Sequence, residues 1–405
     1  MEPLPRFSAP PPAAPAVTGH RPLHLLDATM FWHPQTGGVR RYLLTKRGWL
    51  ARQAQWRHTL LAPGAEGAGM IDCGGLSIPL SGGYRLPWRR QHAAELIRRE
   101  APDLIESGDP YRLAWAVLDA AHSLGVPTIA FCHSNLPAMA AKLGGAPVGP
   151  PSLVQRSTEN YLRRLYGAFD LVLAPSRFMT GVLRDLGVPH AEHQPLGVDC
   201  QVFHPCRRDP MLRAALGLPG DARLLLYTGR FAPEKNLGVL VRAVARLGPP
   251  YYLLAVGAGP MPPQGERVIV LPHESREAML ARLYASAHAF VHAGDQETFG
   301  LSALEAMACG TPIVVRARAG LGELCVDQAG IAVEGTDAET WAEAVASVQD
   351  PDTQLRVRLA RARAQEMDWR EVLPGLVERY GRLLGQGRRQ PLAVQEPRAG
   401  VARVG

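Results

Sequence analysis

Between Thr298 and Val315 the only charged side chain is Glu305, within "DQETFGLSALEAMACGTPIVV" (Asp295–Val315), a segment that otherwise reads as buried helix followed by buried strand. A carboxylate taken out of water without a partner costs roughly several kcal/mol, so this position asks for hydrogen-bond donors. Glu305 falls on the Leu301, Leu304, Ala308 stripe at helical spacing, the face that should be buried. The vicinal hydroxyls of a sugar would suit it. The structural alternative is an internal salt bridge with Arg316 or Arg318, although both follow the strand "TPIVV" instead of facing the helix. Glu297 precedes the helix, in a connecting loop, and Glu305 lies about a turn and a half inside it, roughly 8 Å along the axis at about 1.5 Å rise per residue.

A cationic counterpart lies upstream, where "LLLYT" runs directly into "GRFAPEKN". Gly229 permits a tight turn, Arg230 stands at the strand exit, and Lys235 lies near the first turn of a helix beginning about Asn236. A lysine there is mildly unfavourable for the helix itself, and two cations at a place suited to anions point to a bound phosphate. The bland reading is a pair of solvated surface charges; their position directly after a buried strand argues for the site. Together the four residues read as two polyols flanking a diphosphate. One ring lies near Glu297, the phosphates meet the helix N-terminus with Arg230 and Lys235, and a ribose meets Glu305.

These residues need a frame, and the chain supplies one twice. "LHLLDAT", "RHTLLAP", "PDLIESG", "VPTIAFCH" and "FDLVLAP" are strand candidates alternating with helix-period segments, the first helix running from about Val39 to Ala54. After "PLGVDCQVFHP" (Pro195–Pro205) the alternation restarts with "RLLLYTG", "YYLLAVG", "RVIVLP", "AHAFVHAG" and "TPIVV". Repeated β-then-α order predicts parallel sheets covered on both faces, hence an α/β protein of two doubly wound domains with a hinge near residues 197–205. Ligands in such sheets sit beyond the carboxyl ends of the strands. The expected boundaries are a tail at 1–20, a first domain at 21–198, a second at 199–367, a helix at 368–385 and a tail at 386–405.

The chain has 405 residues, 46% hydrophobic and 20% charged, as in a globular protein. Six scattered cysteines without a Cys-x-x-Cys pair point to a reducing, cytoplasmic setting. No run reaches the roughly 18 apolar residues that span a bilayer, and the Pro/Ala-rich N-terminus does not read as a signal peptide. The net charge of +7 is uneven: residues 21–200 carry 19 basic and 14 acidic side chains, residues 201–385 carry 20 and 21. A basic first half suggests an anionic surface or substrate. Nucleic acid is disfavoured, because no aromatic interleaving or binding motif accompanies the basic residues.

"ETFGLSALE" resembles the Glu-x7-Glu signature of the retaining glycosyltransferases of family four, and "GRFAPEK" their Gly-Arg-x4-Lys. "LAPSRFMTGVL", "PLGVDCQVFHP" and "GELCVDQAGIAV" also sit where that family places corresponding segments, so the resemblance covers about residues 22–384. It implies the GT-B architecture: two facing Rossmann-like domains, donor on the second, acceptor on the first, and a last helix ("DWREVLPGLVERYGRLL") crossing back to the first. It makes Arg230 and Lys235, beside Gly229, the clamp for the donor diphosphate, places Glu297 on the transferred sugar and Glu305 on the ribose, and assigns the backbone amides of Thr298, Phe299, Gly300 and Leu301 to phosphate or sugar. "HPQTGGVRRY" is similar to the family's glycine loop, with Gly37 and Gly38 near donor phosphate and acceptor, and "FCHSN" places His133 where the family keeps a histidine on the donor sugar. The chain departs from the pattern at "HAGDQE" and at His273, near the expected base pocket, which leaves the choice of guanine or uracil open.

The implied function is a metal-independent, retaining hexosyltransferase moving a hexose, such as mannose, from a nucleoside-diphosphate sugar to a hydroxyl of a glycan or glycolipid. The catalytic set would be Glu297, His133, Arg230 and Lys235, with no cofactor beyond the nucleotide-sugar co-substrate. A sugar-nucleotide 2-epimerase and a non-catalytic binding module are the alternatives. The acceptor would be met by variable loops such as Met139–Pro151. The first helix, with Arg40, Arg41, Lys46, Arg47 and Arg52 beside Tyr42, Leu43, Trp49 and Leu50, together with Arg156, Arg163 and Arg164, reads as a solvated basic face. Peripheral contact with the anionic inner face of a membrane is the second expectation for it. "VGAGPMP" lacks the third glycine of a dinucleotide fingerprint, Asp350–Asp352 reads as a helix cap instead of a metal-binding Asp-x-Asp, and no His/Cys/Asp cluster has metal-ligand spacing.

Overall fold

The computed structural model describes residues 21–33, 37–78, 83–87, 89–143 and 153–386. The expected tail 1–20, the expected tail 386–405 apart from Gln386, residues 34–36 of the glycine loop and most of the expected acceptor loop lie outside the described residues.

Two parallel sheets form the frame. The first contains β1 (Leu23–Ala28), β2 (Trp56–Ala62), β3 (Met70–Asp72), β6 (Leu104–Ser107), β7 (Thr128–Phe131), β8 (Leu171–Ala174) and β9 (Ala191–His193), while β4 (Leu76–Ser77) and β5 (Arg85–Leu86) make a separate hairpin. Its order is β3-β2-β1-β6-β7-β8-β9. The second contains β10 (Arg223–Thr228), β11 (Tyr251–Val256), β12 (Val268–Leu271), β13 (Ala289–His292), β14 (Ile313–Arg316) and β15 (Ile331–Val333), in the order β12-β11-β10-β13-β14-β15. Strands such as "LVLA" and "AFVH" are buried at every position, because helices cover both faces of each sheet. The strand order reverses between β1 and β6, and again between β10 and β13. Those two switch points are where a doubly wound sheet opens a crevice at its carboxyl end.

The last helix, Trp369–Gln386, returns to the first sheet. Trp369, Leu373, Leu376 and Tyr380 are buried on it, and Tyr380 meets Trp56 at 5.9 Å between ring centroids. The link is also polar. Asp27 on β1 and Glu106 on β6 are register neighbours, and two adjacent buried carboxylates require a cation. Lys46 provides it from the helix Gly38–Leu50, with Nζ 2.8 Å from Asp27 Oδ1 and 2.8 Å from Glu106 Oε1. Tyr42 donates to Glu106 at 2.9 Å, Tyr380 donates to its other oxygen at 2.5 Å, and His58 Nε2 lies 2.7 Å from Asp27. Burial works against the Asp27 charge, but Lys46 and His58 hold its carboxyl below the usual range. Burial and the Asp27 charge push Glu106 up.

This corrects the reading of the first helix as a solvated basic face. Lys46 is fully buried, Arg41 turns into the cleft, and Arg47 donates to the carbonyls of Ala68 and Gly69. Asp352 stands immediately before the helix Thr353–Glu366, as a cap should, but its side chain accepts no capping hydrogen bond. Among the described residues no helix is long and apolar enough to cross a membrane, and no group of His, Cys, Asp and Glu is arranged to hold a metal ion.

Candidate active site

The site collects at the carboxyl ends of β10 and β13. β10 leads through Gly229 to Arg230, then to a short 3-10 turn, Pro233–Lys235, ahead of the helix Leu237–Leu247. β13 leads through Ala293–Gly300 to the helix Leu301–Ala308. The discounted "VGAG" segment explains how Arg230 is placed. Gly229 N donates to Val256 O at 3.0 Å and Phe231 N to Ala258 O at 2.8 Å. A Cβ on Gly257 would lie 1.9 Å from Gly229 O, so these glycines let the Arg230 loop lie against the neighbouring strand exit.

Lys235 and Glu297 come together in an ion pair, and His292 Nε2 lies 3.2 Å from the same Glu297 oxygen. His292 Nδ1 accepts from the Gly294 amide at 3.1 Å, which leaves Nε2 to carry the ring proton towards Glu297. Burial would raise the Glu297 carboxyl, but the Lys235 ammonium and His292 hold it well below the usual carboxylate range. Arg230 points outward to Glu234 at 2.6 Å, its side chain 65% exposed. It therefore stands beside the Lys235–Glu297 pair without joining it. Gly300 occupies the cap position of the helix Leu301–Ala308 with no side-chain cap, leaving the first amides of that helix to serve an anion.

Glu305 is buried, as its position on the helix predicts. Tyr284 donates to Oε2 at 2.9 Å, and since its single proton is used there, Thr228 donates to the Tyr284 oxygen at 2.5 Å. Oε1 is held by Arg41 from the first domain. The alternative partners are engaged elsewhere or absent from Glu305: Arg316 binds Asp295 at 2.9 Å and the Val333 and Gly335 carbonyls at 3.2 and 2.8 Å. Arg318 begins the next helix as its cap residue. Neither Arg41, His292 nor Tyr284 was anticipated. His292 had a signal, a polar ring at the end of a buried strand, whereas the Arg41 contact joins residues 264 positions apart (Arg41 to Glu305) and has none.

The first domain closes over this loop. Thr298 Oγ1 donates to the His133 carbonyl at 3.2 Å, and Gln296 donates to the Ala138 carbonyl at 3.4 Å. A Cβ on Gly38 would meet Leu301 Cδ1 at 2.9 Å, so the glycine at this position permits the close approach of the two domains. The His133 ring stacks on Phe131 with 4.4 Å between centroids. Its Nε2 is shielded from solvent and has no hydrogen-bond partner among the described residues. Burial, reinforced by Lys46, pushes its pKa down to about 3, so the ring is neutral at ordinary pH. A cavity lined by Asn236, Arg242, Asp295 and Arg316 lies behind the loop and does not include Glu297 or Glu305.

Two family models match the chain: one described as Glycosyltransferase Family 4 over residues 36–202, the other as Glycosyl transferases group 1 over residues 209–365. A GDP-mannose-dependent alpha-(1-6)-phosphatidylinositol dimannoside mannosyltransferase of Mycobacterium tuberculosis is 29% identical over 379 residues, covering 89% of this chain and 96% of its own. A GDP-mannose-dependent alpha-mannosyltransferase of Corynebacterium glutamicum is 27% identical, covering 81% and 78%. In architecture the chain is similar to sucrose-phosphate synthase of Thermosynechococcus elongatus, with a TM-score of 0.73 at 20% identity over 90% of this chain and all of the other. With one model on each half, relatives aligned across both, and two facing parallel sheets, the chain belongs to glycosyltransferase family four and has the GT-B fold.

Proposed function

We propose that this hexosyltransferase uses GDP-mannose and delivers mannose, with retention of configuration, to a hydroxyl of a glycan or lipid-linked acceptor. The observation that carries the reading is the Lys235–Glu297–His292 cluster at the N-terminus of the helix that buries Glu305. GDP-mannose is favoured over other donors by the two mannosyltransferase relatives.

In this mechanism the chain's task is positioning and charge stabilisation. Lys235, the amides of Phe299, Gly300 and Leu301, and an inward-swung Arg230 meet the charge growing on the departing diphosphate, with no metal required. Neutral His133 offers Nε2 to a sugar hydroxyl, and Glu297 orients the sugar and opposes its developing positive charge. Pinned by Lys235 and His292, and with its pKa depressed, Glu297 is a poor nucleophile. This favours same-face displacement over a glycosyl-enzyme intermediate. Glu305 takes the ribose hydroxyls. Glu305→Ala is expected to lower kcat/KM at least tenfold, about 1.4 kcal/mol; steady-state kinetics with GDP-mannose at the wild-type level would contradict the assignment.

The deciding experiment is incubation with radiolabelled GDP-mannose, UDP-glucose and UDP-N-acetylglucosamine. Slow hydrolysis of GDP-mannose supports the reading, conversion of the sugar indicates the epimerase, and binding without turnover indicates the binding module. Membrane contact, if made, is better placed on the helix Leu153–Gly167 than on the first helix. Leu153 and Val154 are 85% and 52% exposed there, beside exposed Arg156, Arg163 and Arg164. The protein is expected to float with vesicles containing anionic lipid, and replacing these three arginines by glutamate should abolish flotation. Equal flotation of both proteins would remove this surface from consideration.

A further inference from the structure

Arg41 stands on the helix Gly38–Leu50 of the first domain, yet its guanidinium lies among residues of the second. Nη1 holds Glu305 Oε1, Nε lies 3.2 Å from Glu277 Oε1, and the group sits 5.8 Å from the centre of the Phe203 ring. The other oxygen of Glu305 belongs to buried Tyr284, itself fixed by Thr228. Oε1 is therefore the atom that Glu305 can offer to the cleft, and Arg41 occupies it. Ribose hydroxyls and this guanidinium are both pure donors toward a carboxylate oxygen and compete for the same one.

We infer that Arg41 is an interdomain latch that substitutes for the donor's ribose, so that a nucleotide must displace it to reach Glu305. The inference rests on the reading of Glu305 as the ribose ligand. Displacement does not strand the guanidinium in a buried place, because Glu277 is already within reach to receive it. The latch reconciles two demands on Glu305: a buried carboxylate needs a cationic partner, and a ligand site must be able to release that partner. It also couples donor entry to the domain contact, since breaking the pair removes a tie between the first helix and the second domain.

The test is calorimetric titration of GDP, with UDP in parallel, into the wild-type protein, Arg41→Gln, Glu305→Gln and the double variant. Coupling between sites commonly amounts to about 5–150-fold, and Arg41→Gln is expected to bind GDP about tenfold more tightly than wild type. The gain should vanish when Glu305→Gln is already present. Weaker or unchanged binding by Arg41→Gln overturns the latch, as does a gain that persists in the Glu305→Gln background. The ribose reading is tested separately by adding Glu305→Gln to Arg41→Gln, which should weaken GDP binding about a hundredfold, or roughly 2.7 kcal/mol. No loss at that step removes Glu305 from the ribose site, whatever Arg41 does. Should Arg41→Gln not fold, Arg41→Lys, which keeps the charge but loses the planar fork, is expected to gain several-fold, and no gain there counts against the latch.

Discussion

Lys235→Ala is expected to lower kcat by about 10²–10³-fold, the range seen when a single preorganised donor to a developing anion is removed. Two losses combine. The ammonium no longer meets the departing diphosphate, and Glu297 loses its ion-pair partner. In the wild-type protein Lys235 and His292 outweigh burial and keep the Glu297 carboxyl below its ordinary value of 4.5. The stabilisation this provides is complete above that ordinary value and is lost only as the pH falls through the lower folded value. Without Lys235, burial is opposed by His292 alone and the folded value rises. The kcat/KM profile of the variant should therefore show an acidic limb at higher pH than the wild type. A profile of unchanged shape, or a kcat within twofold of wild type, would dismiss Lys235 from the reaction. Lys235→Arg should retain more activity than the alanine variant, since it keeps the charge.

Lys46→Met is expected to be the most destabilising single change, about 3–5 kcal/mol, because it leaves two buried carboxylates without their cation. Asp27 and Glu106 are neighbours across β1 and β6, and Tyr380 of the last helix hydrogen-bonds both Lys46 and Glu106. The damage therefore spreads from the first sheet to the helix that covers it. Urea unfolding followed by tryptophan fluorescence would register it, since Trp56 and Trp369 are both buried near this contact. Restoring neutrality with Asp27→Asn and Glu106→Gln beside Lys46→Met should recover a large part of the loss, as removing a whole buried ionic group costs less than breaking one. A single variant as stable as wild type would show that the two acids do not depend on Lys46.

The main strands were readable because a strand buried on both faces leaves a continuous apolar run, as in "LLLYT" and "LVLA". β3, β9 and β15 were not, being three residues each, two of them carrying charged or histidine side chains. Glu305 could be identified because a lone acid contradicts its apolar surroundings. The same argument applied to Asp27 and Glu106, each an acid inside an apolar strand, and it would have pointed to an interior cation. Lys46 was instead read with its basic neighbours as part of a surface, since helical spacing gives a residue's face but not which sheet that face meets. Arg41 was beyond any such reading, because its partners come together only where the two halves meet face to face.

Both passages of the backbone between the halves run side by side. Val198 N donates to Met367 O at 2.9 Å, Trp369 N donates to Val198 O at 3.1 Å, and a Cβ on Gly197 would lie 2.8 Å from the Trp369 ring. The outgoing and returning segments thus form one stitched crossing, tied backbone to backbone where the chain leaves the first half and where it comes back. The beginning and the end of the folded chain share a lobe. Any chimera that exchanges first halves between relatives must accordingly move residues 369–386 together with them, or each lobe will be left wearing the wrong lining.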